Sequence, residues 1–591
     1  MGNPSSRSDV RRLSAFIALV VLSVYSFPYL ATTFALKSKL VPFSFAADLS
    51  LYLNLSKDSS SMVNPYFGTV VRSGDIGYLT FGAAFRLLGL FVKISGNHMW
   101  WAVLFWNLFW WAAMFAGALW LLRIAFPGEN DLNLCLAMSL LFFFNFGVVK
   151  ALFLAWLRLP SLNGFDGLTL PYIRLVFPQI PLALLFFYVG LQVRALRWWR
   201  GYEWTGMFFL QAVAFAVFPY ATLMMAGTTL VAVLADLVIH QRPKRLGVVV
   251  AYGAACALID IAFLWSQVPG GRHGSGVALV GFHPSRAISL AGGGLLLMVL
   301  LMLATAILPP VESASSKWTI VGLGFANSLL MLGDTIFSPD LLVSIHGGYF
   351  VHTTISLQIV YLLSVVSARF GRESVLMRGA CLAAIVFVTA NGLVLAFADY
   401  RYSMPENATT NELASALRSI DVTKEDLVIA RAESVDDLCS WIPLLTPSTV
   451  LFCRSAQYEL SSEEKNSVYR LRQAFYLSFT GKDSRAIERI ATDSRDIAEQ
   501  DRLAFAGEIN NGDKERWDRG IQAIRTDLAP MLEQVERRDR RVLSFFSPYQ
   551  QVLIVDDARK PIFVRERLLG YFSIESEQRS NDFVFLWCKP L

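Results

Sequence analysis

The sequence predicts an α-helical polytopic membrane protein, with about eleven transmembrane helices, that carries an extracytoplasmic α/β domain at its C-terminus. Three observations predict it. The chain is 54% hydrophobic and only 17% charged, with a mean hydropathy of +0.47, where soluble domains are about a quarter charged. Apolar runs long enough to cross a bilayer of ~30 Å recur between short loops that hold most of the Lys and Arg. Composition then changes abruptly after Phe397, so a transmembrane domain over 1–397, with a first external loop over 37–97, and a water-soluble domain over 398–591 are expected.

The first apolar run, 13–36, follows Arg7, Arg11 and Arg12. It is long enough to span and shows no small-residue cleavage site, so it is expected to be a retained helix and not a removed signal. Further spans are expected at 98–122, 132–156, 172–193, 204–218, 220–239, 246–266, 286–308, 318–337, 351–368 and 376–397. The basic loops are the N-terminus, Arg194 to Arg200, Gln241 to Arg245 and Ala368 to Arg372, and the positive-inside rule assigns all of them to the cytoplasm. Tyr78 to Ile94 is apolar but interrupted by Arg86 and Lys93. Counting it as a span would move the Arg194 to Arg200 cluster outside, so it reads as an amphipathic helix on the membrane surface. Parity then gives an integral inner (plasma) membrane protein with a cytoplasmic N-terminus and an extracytoplasmic domain at the C-terminus.

In that domain, the runs 426–430, 449–453, 551–555 and 583–587 read as short buried strands, and 461–479 and 513–536 carry helical periodicity. No Gly-rich phosphate loop or nucleophile motif appears in it, so a lid or binding platform is its plain reading. The net charge of +6 is spread over loops, which leaves no nucleic-acid face and excludes that partner. None of the six cysteines lies in a CxxC pair. Cys439 and Cys453 are able to form a disulfide if their domain is extracytoplasmic, subject to a geometry that spacing does not supply.

Ionisable residues at membrane depth are costly and mark sites or pathways. Lys150, Asp260 and Asp334 fall in the outward halves of their expected spans, and the external loops add Arg158, Asp166, Arg174, Arg272, His273, His283, Arg286, Asp340, His346 and His352. A polar external cavity is implied. In the first loop, Asp48 precedes Tyr52 by one helical turn. A carboxylate there suits a general base toward an acceptor hydroxyl, and equally suits an N-cap of the helix that follows. Arg174, set in Tyr172-Ile-Arg174 before Pro178 and Pro181, suits a phosphate headgroup, of a donor or of ordinary phospholipid, because its planar fork makes paired charge-assisted bonds. Phe218-Pro-Tyr220 reads as a tight turn between two spans, with a ligand contact at Tyr220 as the other reading. The histidine pairs lack helical i, i+4 spacing, so a divalent metal is not favoured and no cofactor is assigned.

Ala47-Asp48-Leu-Ser-Leu-Tyr52, Asn64-Pro-Tyr66-Phe-Gly68, Tyr172-Ile-Arg174 with Pro178-Gln179, and Phe218-Pro-Tyr220, set in this architecture, resemble the GT-C superfamily of membrane glycosyltransferases, of the type linked to bacterial surface polysaccharides. The resemblance implies sugar transfer, of the inverting kind, from a polyprenyl-phosphate-linked donor to a cell-envelope glycan or lipid acceptor on the extracytoplasmic face. It implies Asp48 as general base, with Arg174, Arg158, Arg286 and Lys150 at the donor phosphate. Many relatives carry paired acids in this loop, whereas Ala47 stands beside Asp48, which leaves open whether Asp58 or Asp75 supplies a second carboxylate. The rival readings are a polytopic transporter or lipid flippase with an external accessory domain, and a nonenzymatic scaffold that binds polymer or protein.

Overall fold

The computed structural model describes residues 4–37, 49–50, 53–54, 56, 82–127, 131–145, 170–173, 179–240, 246–266, 292–310, 313–333, 343–370, 374–432, 438–453, 469–493, 500, 503, 514–580 and 582–591. The chain divides into two compact units: Met1–Ala35 with Thr80–Ala84 and Val103–Ser403, and Leu36–Leu79 with Phe85–Ala102 and Met404–Leu591.

The first unit is built of apolar helices. In chain order the helices ahead of the sheet are α1 (Pro4–Leu36), α2 (Gly82–Ile94), α3 (Met99–Ala125), α4 (Asp131–Phe143), α5 (Gln179–Trp198), α6 (Gly201–Val217), α7 (Pro219–His240), α8 (Leu246–Ser266), α9 (Gly292–Ile307), α10 (Ala314–Met331), α11 (Val343–Phe370) and α12 (Val375–Arg418), with Phe85–Ile94 of α2, Met99–Ala102 of α3 and Met404–Arg418 of α12 counted in the second unit. Every expected span meets one of these helices. Among the described residues, 6 helices are long and apolar enough to cross a membrane. Their outer faces stay apolar: Leu382, Val386, Phe387, Leu393, Val394 and Phe397 of α12 are all more than half exposed. A stripe of this kind is lipid-facing surface, since water would not tolerate it at such length. Inside, small residues allow close approach, as at Gly227, where an added Cβ would lie 2.8 Å from Ala326 Cβ.

Of the boundaries that differ from the sequence reading, three bear on the site. The span expected over 132–156 closes at Phe143, and Phe144 and Asn145 are not helical. The span expected from 172 begins at Gln179, with Leu170 to Ile173 forming a turn ahead of it; Pro178 and Pro181 bracket that start, where proline costs no hydrogen bond. Finally, α12 does not stop at Phe397 but continues to Arg418. Continuous hydrogen bonding carries a helix past the end of its apolar run. The stretch at Tyr78 to Ile94 does contain an amphipathic helix, α2, with Ala84, Phe85 and Leu88 buried and Arg86 and Lys93 exposed.

The second unit contains a five-stranded sheet of β1 (Leu427–Ala430), β2 (Thr449–Val450), β3 (Val552–Asp557), β4 (Phe572–Arg579) and β5 (Phe583–Pro590), in the order β2-β1-β3-β5-β4. The strand β1 runs parallel to β2 and β3, with Val428 opposite Leu553, while β5 is antiparallel to both β3 and β4. Full burial of Leu427 to Ala430 and Val552 to Val555 explains their unbroken apolar runs. All four expected strands form, within an α/β domain. The strand the sequence hides, β4, is an edge: apart from the half-buried Ile574, Ser573 to Arg579 are polar and exposed, and the pairing is bulged between Ile574 and Ser576, as suits a protected edge. The expected helix over 513–536 is split into Lys514–Ala523, a π-helical turn Ile524–Leu528 and Ala529–Arg537. Pro530 lacks an N–H to continue the α ladder, and Ala529 N bonds Ile524 O instead.

Candidate functional site

The site grows from the end of α4. With 13 residues, this helix is ~20 Å long, short of a hydrocarbon core of ~30 Å. Its last carbonyls have no intrahelical donor, and lipid offers none, so side chains must supply them. They do. Leu141 O accepts from Tyr172 Oη and from His352 Nε2, each at 2.9 Å. Phe142 O accepts from Tyr25 Oη at 2.7 Å, and Phe143 O from Asn391 Nδ2 at 3.0 Å. A carbonyl only accepts, so His352 carries its proton on Nε2, and the Tyr172 hydroxyl, having donated to Leu141 O, accepts from Thr353 Oγ1 at 3.0 Å. Helices α1, α11 and α12 and the Leu170 to Ile173 turn therefore meet at one polar node. Tyr172 also lies against Tyr25, Phe142 and His352, with ring centroids at 6.4, 5.5 and 5.7 Å.

The turn ahead of Arg174 in the chain is held from both sides. Tyr172 O accepts from Trp111 Nε1 at 3.0 Å and from Gln179 Nε2 at 3.3 Å. Gln179 is fixed in turn by Trp106 Nε1 at 3.0 Å and by Asn107 Oδ1 at 2.6 Å. At the start of the turn, Leu170 N donates to Asp399 Oδ2 at 3.0 Å. Asp399 is 1% exposed, and among the described residues its second oxygen has no hydrogen-bond partner. Leaving such an acceptor bare costs ~1–3 kcal/mol. A hydroxyl or amine of a ligand would satisfy it.

Of the residues singled out from sequence, Tyr172 and His352 are brought together at this node. Tyr220 is the second residue of α7, after Pro219 in the first helical position behind the break at Phe218, and the Phe218 and Tyr220 ring centroids lie 5.2 Å apart. The node does not include it among its hydrogen bonds. His346 lies on α11, with its side chain outside the described residues. Asp48, Tyr52, Asp58, Asp75, Lys150, Arg158, Arg174, His273 and Arg286 also lie outside them. Immediately after Asp48, however, Leu49, Ser50, Leu53, Asn54 and Ser56 are helical and buried. Among the described residues no group of three or more His, Cys, Asp or Glu is placed to hold a metal ion.

Sequence reasoning misses Asp399, Tyr25 and Asn391. A signal exists for the first: an acid in Ala398-Asp399-Tyr400, directly behind an apolar helix. Hydropathy assigns it to the start of the soluble domain, and α12 shows that it belongs to the membrane unit.

No protein-family model matches the chain, and no curated protein sequence matches it. Among solved structures it is similar to the arabinofuranosyltransferase AftD from Mycobacteria, with 14% identity and a TM-score of 0.47 over 98% of this chain. It spans 40% of the length of that protein. It is also similar to the oligosaccharyltransferase of Archaeoglobus fulgidus, with 12% identity and a TM-score of 0.36, over 89% of this chain and 72% of the other. Both are by name transferases of sugar groups.

Proposed function

We propose that the protein is a membrane glycosyltransferase that moves a sugar from a polyprenyl-phosphate-linked donor to a cell-envelope glycan or lipid acceptor on the extracytoplasmic face. The observation that carries this reading is the node at the end of α4. A membrane helix is cut short, and its carbonyls are consumed by Tyr25, Tyr172, His352 and Asn391. The turn they fix also bonds the buried Asp399, and it leads in sequence to Arg174. Irregular backbone at membrane depth persists where it lines a protein-walled site, and an arginine that follows it in the chain is suited to a lipid-linked phosphate.

In the proposed reaction Asp48 takes the proton of the acceptor hydroxyl as its oxygen attacks the anomeric carbon. The bond from that carbon to the phosphate oxygen breaks, and polyprenyl phosphate departs with the electron pair. Inversion follows from a single displacement. Arg174, Arg158, Arg286 and Lys150 balance the charge that develops on the phosphate. The test is transfer of radiolabelled sugar from a polyprenyl phosphate in detergent. Asp48→Asn is expected to lower transfer by about 10²-fold or more while donor binding holds, and a fully active variant would remove Asp48 from the role.

A second reading, a lipid or solute transporter, is favoured by one observation. A chain of buried polar side chains runs through α5, α6, α7, α8 and α10. In it, Tyr188 Oη bonds Thr229 Oγ1 at 2.6 Å and Tyr252 Oη at 2.8 Å, and Tyr252 Oη donates to Gln211 Oε1 at 2.9 Å. Thr229 Oγ1 bonds Gln192 Oε1 at 3.0 Å, and Gln192 Nε2 reaches Thr319 Oγ1 at 3.4 Å. Such chains also act simply as glue between helices. Uptake into vesicles without sugar transfer would favour the transporter.

A further inference from the structure

Cys439 and Cys453 lie on two segments that are both stitched to the β1 region. Cys439, at the start of the helix α13 (Leu438–Leu445), donates its backbone N–H to Arg431 O at 3.2 Å, and Leu451, two residues ahead of Cys453, donates to Val428 O at 2.8 Å. Their side chains are fully buried, with the Sγ atoms 2.6 Å apart. The next residue, Ser440, is also fully buried and grips the first loop. Its hydroxyl accepts from Ser50 Oγ at 2.8 Å, and its carbonyl accepts from Asn54 Nδ2 at 2.8 Å. Asn54 Nδ2 closes the turn by donating to Ser50 O at 3.0 Å. Position 440 is therefore tied by hydrogen bonds to the helical residues that follow Asp48, and by one covalent step to a facing pair of thiols.

We propose that Cys439 and Cys453 are joined as a disulfide in the mature protein, and that this bridge is a clasp holding Ser440 against the helical turn behind Asp48. The inference rests on the extracytoplasmic placement of this domain in the functional reading above. The bond forms by thiol–disulfide exchange. One cysteine thiolate, its proton released to solvent, attacks the disulfide of a thiol oxidoreductase. The second then displaces that carrier, which leaves as a dithiol, so the two electrons lost here reduce the carrier. Because both sulfurs end fully buried, exchange takes place while the domain folds, and the finished bridge is shielded from reductant. Ser50 and Asn54 sit four residues apart and present one face of a helix to Ser440. Holding α13 fixed thus orients that face.

The full-length protein, extracted from membranes, quenched in acid and alkylated with N-ethylmaleimide under denaturing conditions without reductant, gives the first test. The expected result is one cross-linked species containing Cys439 and Cys453, lighter than the dithiol by two hydrogen atoms, with Cys135, Cys256, Cys381 and Cys588 alkylated. N-ethylmaleimide on both Cys439 and Cys453 would overturn the proposal. Hydrogen exchange then reads the clasp. Amides of 49–56 are expected to exchange roughly tenfold faster in Cys439→Ala/Cys453→Ala and in Asn54→Ala, the latter keeping the bridge and so separating the clasp from a folding defect. Unchanged protection of 49–56 in both variants would overturn the positioning role. Sugar transfer is scored separately: an intact bridge in a protein without transferase activity counts against the functional reading and leaves the clasp standing.

Discussion

Replacing Gly392 by alanine probes the node at the end of α4 directly. The added Cβ would lie 2.5 Å from Phe143 Cδ1, 2.8 Å from Cγ and 2.9 Å from Cβ, where carbon pairs prefer ~3.5–4.0 Å. Turning the ring does not relieve this, because Phe143 Cβ moves only with its backbone. The end of α4 and α12 must therefore separate by roughly 0.6–1 Å. That movement stretches the 3.0 Å bond from Asn391 Nδ2 to Phe143 O past the ~3.5 Å at which it ceases to count. Overpacking costs ~1–3 kcal/mol, the lost bond costs ~1 kcal/mol, and the better helix propensity of alanine returns ~1 kcal/mol. The net is a loss of ~1–3 kcal/mol. Gly379, on the same helix, has nothing within 4 Å of an added Cβ, so Gly379→Ala receives only the ~1 kcal/mol gain. The two variants differ by ~2–4 kcal/mol, which at ~2–4 °C per kcal/mol separates their melting temperatures by about 4–16 °C in detergent. Equal melting temperatures would refute the packing of α12 on the end of α4.

Three further outcomes are expected. Tyr172→Phe removes the hydroxyl that bonds Leu141 O and Thr353; His352 still serves Leu141 O, so the loss in thermal melting should stay at ~1 kcal/mol, and a loss above ~3 kcal/mol would contradict the shared acceptor. Asp399→Leu leaves the N–H of Leu170 without its acceptor and costs ~1–3 kcal/mol, whereas Asp399→Asn keeps an oxygen in place and costs less; equal melting of the two would refute the contact. In the second unit, burial raises the Asp556 carboxyl above its usual range against the bonds from Ile562, Phe563 and Asp557 N–H. The folded state thus holds this proton more tightly, and the associated stability is present below pH ~4 and fades as pH rises through the folded value. The stability of wild type relative to Asp556→Asn should fall from pH ~3 upward, and a difference that is flat to pH ~7 would refute it.

The elements with strong one-dimensional signals are legible in the sequence. Helices of the membrane unit announce themselves through long apolar runs, and β1 and β3 through short ones, because burial on all sides leaves no polar face to interrupt the pattern. What stays hidden depends on partners distant in sequence. Nothing in Asp131 to Phe143 says that the helix ends there. The run Leu140-Leu141-Phe142-Phe143-Phe144 would extend any hydropathy window. Where the helix stops, Tyr25, Tyr172, His352 and Asn391 take its carbonyls. The edge strand β4 is invisible for the opposite reason, since an exposed strand with Glu575, Glu577 and Arg579 has no apolar period to detect.

Asp399 shows how the hidden part of the site is lost and how it is recovered. A boundary drawn where hydropathy falls assigns the next acid to solvent, although a helix does not end where its apolar stretch ends. Helix α12 runs on past Asp399 to Arg418. Arg401 and Tyr402, two and three residues further along, are exposed, while the Asp399 carboxylate on another face is turned inward to the N–H of Leu170. The same geometry explains why Tyr172 is found from sequence and Asp399 is not. Tyr172 lies beside Arg174 in a proline-marked segment that itself suggests phosphate chemistry, whereas Asp399 acquires meaning only when α12 is laid against that turn. A carboxylate whose second oxygen is buried without a hydrogen-bond partner among the described residues, one hydrogen bond from the turn that precedes Arg174, is the residue to vary after Asp48 in testing the proposed donor site.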